Sequence, residues 1–279
     1  MKVVLEPSPP LGLAYIAAML EKSGHSVKIV DCLIEGFNIR KKMGNNVRIG
    51  LSEEDIIKKV QNFLPNVVGI SNNFTLYDKD AIALSKLIKN KFPDVLLVLG
   101  GAHVTMEYPK IIKLPFVDVV VRGEGEYTFE ELLNAVSNKE PLNNIKGIVW
   151  KKEDSSIVEN ELREPIGVLD ELPMPAYHLL KMELYLKQKS NNFAFSKNFP
   201  IGHMITSRGC AYNCIFCSTT KNFKKFRSRS PEKVLYSIRL ESRVSDVLIH
   251  YLPCPFNCAQ IGIILNQTEA IGFSLIEYR

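Results

Sequence analysis

The 279 residues leave room for about two domains of ordinary size, and a 46% hydrophobic, 23% charged composition is that of a globular chain. No apolar run approaches the ~20 residues that cross a bilayer, and Met1–Leu5 is cut off by Glu6 and Pro7 before a signal-peptide core can form, so the expected location is the cytoplasm. The net charge of +5 is modest, and six cysteines in a cytoplasmic chain of this size argue against a disulfide scaffold and for metal or redox chemistry.

Taken in order, the first 140 residues alternate short β-branched runs with amphipathic helical stretches, the pattern of a parallel sheet covered on both faces. Val3–Leu5 is the expected first strand. A helix follows from Leu11 to Lys22, with Leu13, Ile16, Ala17 and Leu20 at helical spacing and Gly24 as its left-handed stop. Val27–Val30 is the second strand. Ser52 caps a helix to about Phe63, with Asp55 three residues on as an imperfect capping box. Val67–Ser71 is the third strand, Asp80–Lys91 the next helix, Val95–Leu99 a fully apolar fourth strand and Val117–Val121 the fifth. A helix from Thr128 to about Val136 ends this region.

The fold expected is α/β: an N-terminal Rossmann-like (flavodoxin-like), doubly wound parallel sheet. Ligands of such sheets bind beyond the carboxyl ends of the strands. The loops Asp31–Gly36, Ser71–Thr75, Gly100–Thr105 and Gly123–Glu126 lie there, and together they form a candidate crevice. Ser71, Thr75, Gly100, Gly101, Gly123 and Gly125 are its candidate binding residues. Each glycine alone reads equally as a tight turn.

Ile145–Trp150 and Ser156–Val158 form a hairpin pattern, and Leu169–Tyr177 is a linker whose two prolines argue against a helix. From Leu184 to Ser230 there are nine basic residues and no Asp or Glu, while the rest of the chain is slightly acidic. The stretch reads either as a solvated or nucleic-acid-binding face, or as a place where anionic cofactors and substrates gather.

Inside it lies Cys210-Ala-Tyr-Asn-Cys214-Ile-Phe-Cys217, directly after the short strand Met204–Gly209. Three thiolates at C-x3-C-x2-C spacing can hold three corners of an iron–sulfur cubane and leave one iron open, as a catalytic metal site requires. Tyr212 and Phe216 are placed to shield the cluster. The alternative is a structural zinc site, with Cys254 or Cys258 as fourth ligand; these two read equally as ordinary cysteines.

These residues resemble the signature of the radical S-adenosylmethionine (SAM) superfamily, with Thr206–Cys210 as lead-in and Phe226–Val234 similar to the opening of the first barrel helix. More specifically, the chain resembles the cobalamin (B12)-binding branch. Pro9–Tyr15, Gly100–His103, Arg122–Glu126 and the linker Leu169–Leu179 are similar to segments of that branch, and the resemblance spans residues 1–240. It implies a B12-binding Rossmann-like domain over 1–140, a hairpin and proline-containing linker over 141–198, and a partial (β/α) radical SAM barrel with a divergent tail over 199–279. The implied cofactors are a [4Fe–4S] cluster on Cys210, Cys214 and Cys217, SAM bound through its amino and carboxylate groups at the open iron, and cobalamin. The implied activity is reductive cleavage of SAM for radical chemistry, methylation or cyclisation for example, on a small-molecule substrate. A reducing electron-donor protein is the implied partner.

The chain also departs from that pattern. The loop Glu6–Pro9 is short. Leu33, within Asp31–Gly36, stands where a D-x-H-x-x-G motif would carry its histidine, which leaves His103 as a substitute axial ligand or a hydrogen-bonded bystander. The chain ends at Arg279, too soon after Cys217 for the remaining strand–helix units, although Asp246–Tyr251 is a candidate second strand. The alternative expectation is therefore a truncated, non-catalytic remnant that binds cobalamin or a cluster. A zinc-bearing nucleic-acid binder is a third reading.

Overall fold

The computed structural model describes residues 7–44, 46–187, 202–212, 214–218, 225–244 and 274–278. The expected strands Val3–Leu5 and Asp246–Tyr251, together with Cys254 and Cys258, lie outside these residues. No helix among the described residues is long and apolar enough to cross a membrane.

Helix α1 (Leu11–Lys22) leads into strand β1 (Val27–Asp31) through Gly24, whose φ of 84° ends the helix. Asp31 then caps the short helix α2 (Cys32–Glu35), accepting from the amides of Leu33 and Ile34 at 3.0 and 3.2 Å. A hairpin of β2 (Arg40–Met43) and β3 (Asn46–Ile49) precedes α3 (Glu53–Phe63), where Ser52 Oγ accepts from Asp55 N at 3.1 Å. Neither α2 nor the hairpin shows an apolar period in the sequence.

The rest of the sheet follows as β4 (Val67–Ser71), α4 (Asp78–Lys91), β5 (Leu96–Gly100), α5 (Ala102–Ile111), β6 (Val119–Val121) and α6 (Glu126–Asn138). Helix α5 corrects the reading of Gly100–Thr105 as a loop. Pro109 obscures its pattern, yet the helix tolerates that residue in its last turn. The expected hairpin is β7 (Ile148–Lys151) with β8 (Ile157–Glu159), and it continues the main sheet beyond β6.

Strands β4, β5 and β6 are parallel, and alternate residues enter opposite cores. Val67, Val98, Val119 and Val121 pack with Leu13, Ala17 and Leu20 of α1 and with Phe129, Leu132 and Leu133 of α6. Val68, Ile70, Leu97, Leu99 and Val120 pack with Ile56 and Val60 of α3, Leu84 and Ile88 of α4, and Val104 of α5. Helices therefore cover both faces, and strands buried on both sides read as continuous apolar runs.

A flavodoxin-like order would place the chain's first strand between its second and third. That position, between β1 and β4, holds a C-terminal strand, antiparallel to both. Beyond the linker come α7 (Met182–Leu186) and a two-stranded ribbon, β9 (Ser207–Arg208) with β10 (Arg227–Ser228). Helix α8 (Pro231–Val244) follows, and the C-terminal strand is β11 (Ser274–Tyr278). Pro231 opens α8 at the position where a missing N–H is harmless, and the Asp170 carboxylate accepts from Ser230 N just before it.

Candidate functional site

The carboxyl ends of the parallel strands β4, β5 and β6 lie side by side, where the sequence places the candidate rim. Gly101 adopts φ 109°, and a Cβ there would stand 2.4 Å from the Asn72 carbonyl and 2.8 Å from Asn73 Oδ1. Only glycine lets the β5 turn close onto the β4 loop in this way. Asn72 N donates to Gly100 O at 2.8 Å, Asn72 Oδ1 accepts from Phe74 N, and Asn73 Oδ1 accepts from Ala102 N at 3.0 Å. Asn72 is buried, and its Nδ2 has no hydrogen-bond partner. An orphaned amide at a loop rim is a donor available to a polar ligand. Phe74 and Leu76 present exposed apolar side chains on the same loop.

Thr75 and His103 meet across the rim. Thr75 Oγ1 lies 3.0 Å from His103 Nδ1, and Asp78 Oδ1 lies 3.0 Å from His103 Nε2. Both ring nitrogens are engaged, so the buried imidazole presents neither to a metal in this arrangement. Of the other expected rim residues, Gly123 adopts φ 77° and would meet open space with a Cβ, so the backbone turn alone demands glycine there. At Gly125 a Cβ would stand 3.0 Å from the Ile16 side chain, so the absence of a side chain lets this loop close onto α1. Gly100 and Ser71 pair in register across β4 and β5.

The cysteine loop hangs between β9 and β10. Gly209 turns the chain at φ 82°, Tyr212 N donates to Cys210 Sγ at 3.5 Å, and Cys217 N donates to Cys214 O at 3.1 Å. Cys210, Cys214 and Cys217 form no disulfide; Cys214 is exposed and the other two are half-buried. Among the described residues, no three His, Cys, Asp or Glu side chains are gathered as a metal site. Tyr212 and Phe216, expected as shields, have exposed side chains. The donor set nevertheless fits a cluster: three cysteines outside any disulfide lie on one short loop, and the Cys210 sulfur already accepts an amide hydrogen bond.

Reading the acid-free stretch as a ligand-gathering face missed what its arginines do. Arg208 donates from Nη2 to Glu126 Oε1 at 2.6 Å and approaches Glu124 Oε1 at 3.5 Å. Arg227 Nη1 donates to Glu124 Oε2 at 2.8 Å and to Ile166 O at 2.7 Å. Arg208 and Arg229 stand over the Tyr15 ring at 5.2 and 5.3 Å. Glu124 and Glu126 are themselves buried, so the network locks the cysteine ribbon onto the loop after β6. A sequence signal did exist: two acids spaced around Gly125, opposite a basic stretch without acids of its own.

A second buried group sits behind the crevice. Tyr185 Oη on α7 donates to Asp31 Oδ2, and burial holds both the Asp31 carboxyl and the Tyr185 phenol above their ordinary pKa ranges. Lys59 and Lys181 both pair with Glu35 at 2.9 and 2.6 Å. These contacts fasten the linker to α2.

Comparison with known proteins agrees with this geometry. The B12 binding domain family matches residues 1–133. An uncharacterized methyltransferase of Pyrococcus horikoshii is 38% identical over 98% of this chain and 53% of its own length. The cytidylyl-2-hydroxyethylphosphonate methyltransferase of Streptomyces wedmorensis is 36% identical over 81% and 47%. The chain thus spans about half the length of the curated relatives it matches. Among solved structures, the radical SAM methyltransferase TsrM of Kitasatospora setae superposes with a TM-score of 0.61 at 17% identity, covering 87% of this chain and 44% of that one. The cobalamin-dependent SAM radical enzyme OxsB superposes with 0.60 at 20% identity, covering 84% and 29%. At these identities the likeness is one of fold. The chain thus carries a B12-binding domain in its N-terminal half and, with its cysteine loop, is similar to the cobalamin-dependent radical SAM proteins.

Proposed function

We propose that this chain is the cofactor-bearing part of a cobalamin-dependent radical SAM enzyme acting on a small-molecule substrate. The observation that carries the reading is the cysteine loop, which is held by buried arginine–carboxylate pairs against Glu124 and Glu126, just after β6. Cys210, Cys214 and Cys217 are assigned as cluster ligands. Ser71, Thr75, Gly100, Gly101, Gly123 and Gly125 are assigned to the cobalamin rim, with Asn72 Nδ2 as a further donor. When bound, these cofactors supply a SAM-derived radical and a methyl carrier for methylation or cyclisation. The chain's own residues position both groups and keep them facing one another. Gly101 lets two loops close together, and Arg208 fixes the approach to Cys210. Use of Cys210, Cys214 and Cys217 as cluster thiolates fits a reducing compartment, from which we infer a cytoplasmic location and an electron-donor protein as partner.

The test is anaerobic reconstitution of the full chain with iron and sulfide, followed by titration with hydroxocobalamin. The reading predicts about four iron and four sulfide per chain, lost in Cys214→Ala, and a saturable change in cobalamin absorbance. One zinc per chain without labile sulfide overturns it.

A further inference from the structure

Hydrogen bonds, one peptide link and an ion pair connect the two proposed cofactor sites. Thr105 Oγ1 donates to Gly101 O at 2.9 Å and accepts from Gly123 N at 2.9 Å. The next residue is Glu124, whose side chain is 3% exposed. Its Oε2 accepts from Arg227 Nη1 at 2.8 Å and from Ile166 N at 2.7 Å. Its Oε1 stands 3.5 Å from Arg208 Nη1, close enough for an ion pair, yet makes no hydrogen bond. Arg208 and Arg227 are register partners across β9 and β10, so one carboxylate holds both ends of the cysteine loop.

We propose that Glu124 is a positioning residue through which a ligand in the crevice and a cluster on the cysteine loop influence each other's affinity. The proposal rests on the cofactor reading above. Coupling needs an element with two arrangements that both sites bias. Glu124 supplies one, because Oε1 and Arg227 Nη2 are buried without hydrogen bonds. A small movement of the Gly123 turn makes or breaks the bond from Arg208 to Oε1. In a buried network, each such bond weighs more than it would at the surface. A ligand that presses on the Gly101–Thr105 turn is transmitted to Gly123, from there to Glu124, and then to the residue two positions before Cys210. The coupling is reciprocal, since linkage makes the cluster change cobalamin affinity by the same factor as cobalamin changes cluster affinity.

The test is the ratio of hydroxocobalamin dissociation constants for the full chain without and with the reconstituted cluster, read by absorbance. We expect a ratio of about fivefold or more in the wild type, falling toward one in Glu124→Gln and in Thr105→Val. A residue of merely structural importance would weaken binding in both states and leave the ratio in place. If Glu124→Gln does not fold, Thr105→Val, which removes the hydroxyl that links Gly101 O to Gly123 N, carries the test. A wild-type ratio of one, or an undiminished ratio in either folded variant, overturns the proposal. Failure of the wild type to bind cobalamin or a cluster overturns the cofactor reading, and the proposal with it, and is visible before any variant is made.

Discussion

Arg208, two residues before Cys210, donates to Glu126 Oε1 at 2.6 Å, and both side chains are almost wholly withdrawn from water. The pair joins the proposed cluster loop to the B12-binding domain. Removing the arginine strands the buried Glu126 carboxylate and leaves Glu124 with Arg227 as its cation. Arg208→Met is expected to destabilise the chain by about 3–5 kcal/mol, measured by urea unfolding. Arg48, whose partner Glu53 is 60% exposed, serves as the control. Arg48→Met should cost less than about 1 kcal/mol.

The rim depends on a backbone conformation that only glycine adopts. Gly101 combines φ 109° with ψ 173° and has the Asn72 carbonyl in the place of a side chain. Gly101→Ala is expected to cost about 1–3 kcal/mol from strain alone and to weaken cobalamin binding at least tenfold by absorbance titration. Gly12, in α1 with nothing within 4 Å of its Cβ position, behaves oppositely. Gly12→Ala should stabilise by about 0.5–1 kcal/mol. Equal effects at both glycines would remove the steric argument.

His103 has both ring nitrogens occupied, by Thr75 and Asp78. The electron paramagnetic resonance spectrum of bound cob(II)alamin should therefore be the same in the wild type and in His103→Gln. Loss of a nitrogen superhyperfine splitting in the variant would identify His103 as an axial ligand and contradict this arrangement.

Acid should loosen the linker side of the fold. Burial pushes His203 down to about 4, against an unfolded value near 6.5. Between these values the unfolded chain binds more protons than the folded one, so stability falls as pH is lowered through that window. Asp31, held above the ordinary carboxylate range by burial, acts in the opposite sense and partly offsets the loss. The component due to His203 is isolated by comparing urea midpoints at pH 7.5 and 5.5 in the wild type and in His203→Gln. The wild type should lose about 1 kcal/mol more than the variant on acidification. An equal loss in both would show that His203 is solvated.

Much of the sheet was legible in the sequence because its elements announce themselves locally. Val67–Ser71 matches its strand end for end, as Leu11–Lys22 matches its helix, since apolar runs and a left-handed glycine stop are local signals. What was not legible depends on distant partners. Ser274–Tyr278 finds its place only by pairing with Val27–Asp31 and Val67–Ser71 across most of the chain length. Pro109 hid a helix whose earlier turns are regular. At the site, the cysteine spacing carried its own chemistry. The use of Arg208 and Arg227 did not, because an arginine bound to buried carboxylates and one facing solvent look alike in sequence.

The most direct measurement of the central claim is release of 5′-deoxyadenosine when the reconstituted, reduced full chain is incubated with SAM under anaerobic conditions. The account predicts release that depends on reductant and disappears in Cys214→Ala. A fully assembled cluster that leaves SAM intact would contradict it and favour a binding remnant without radical chemistry.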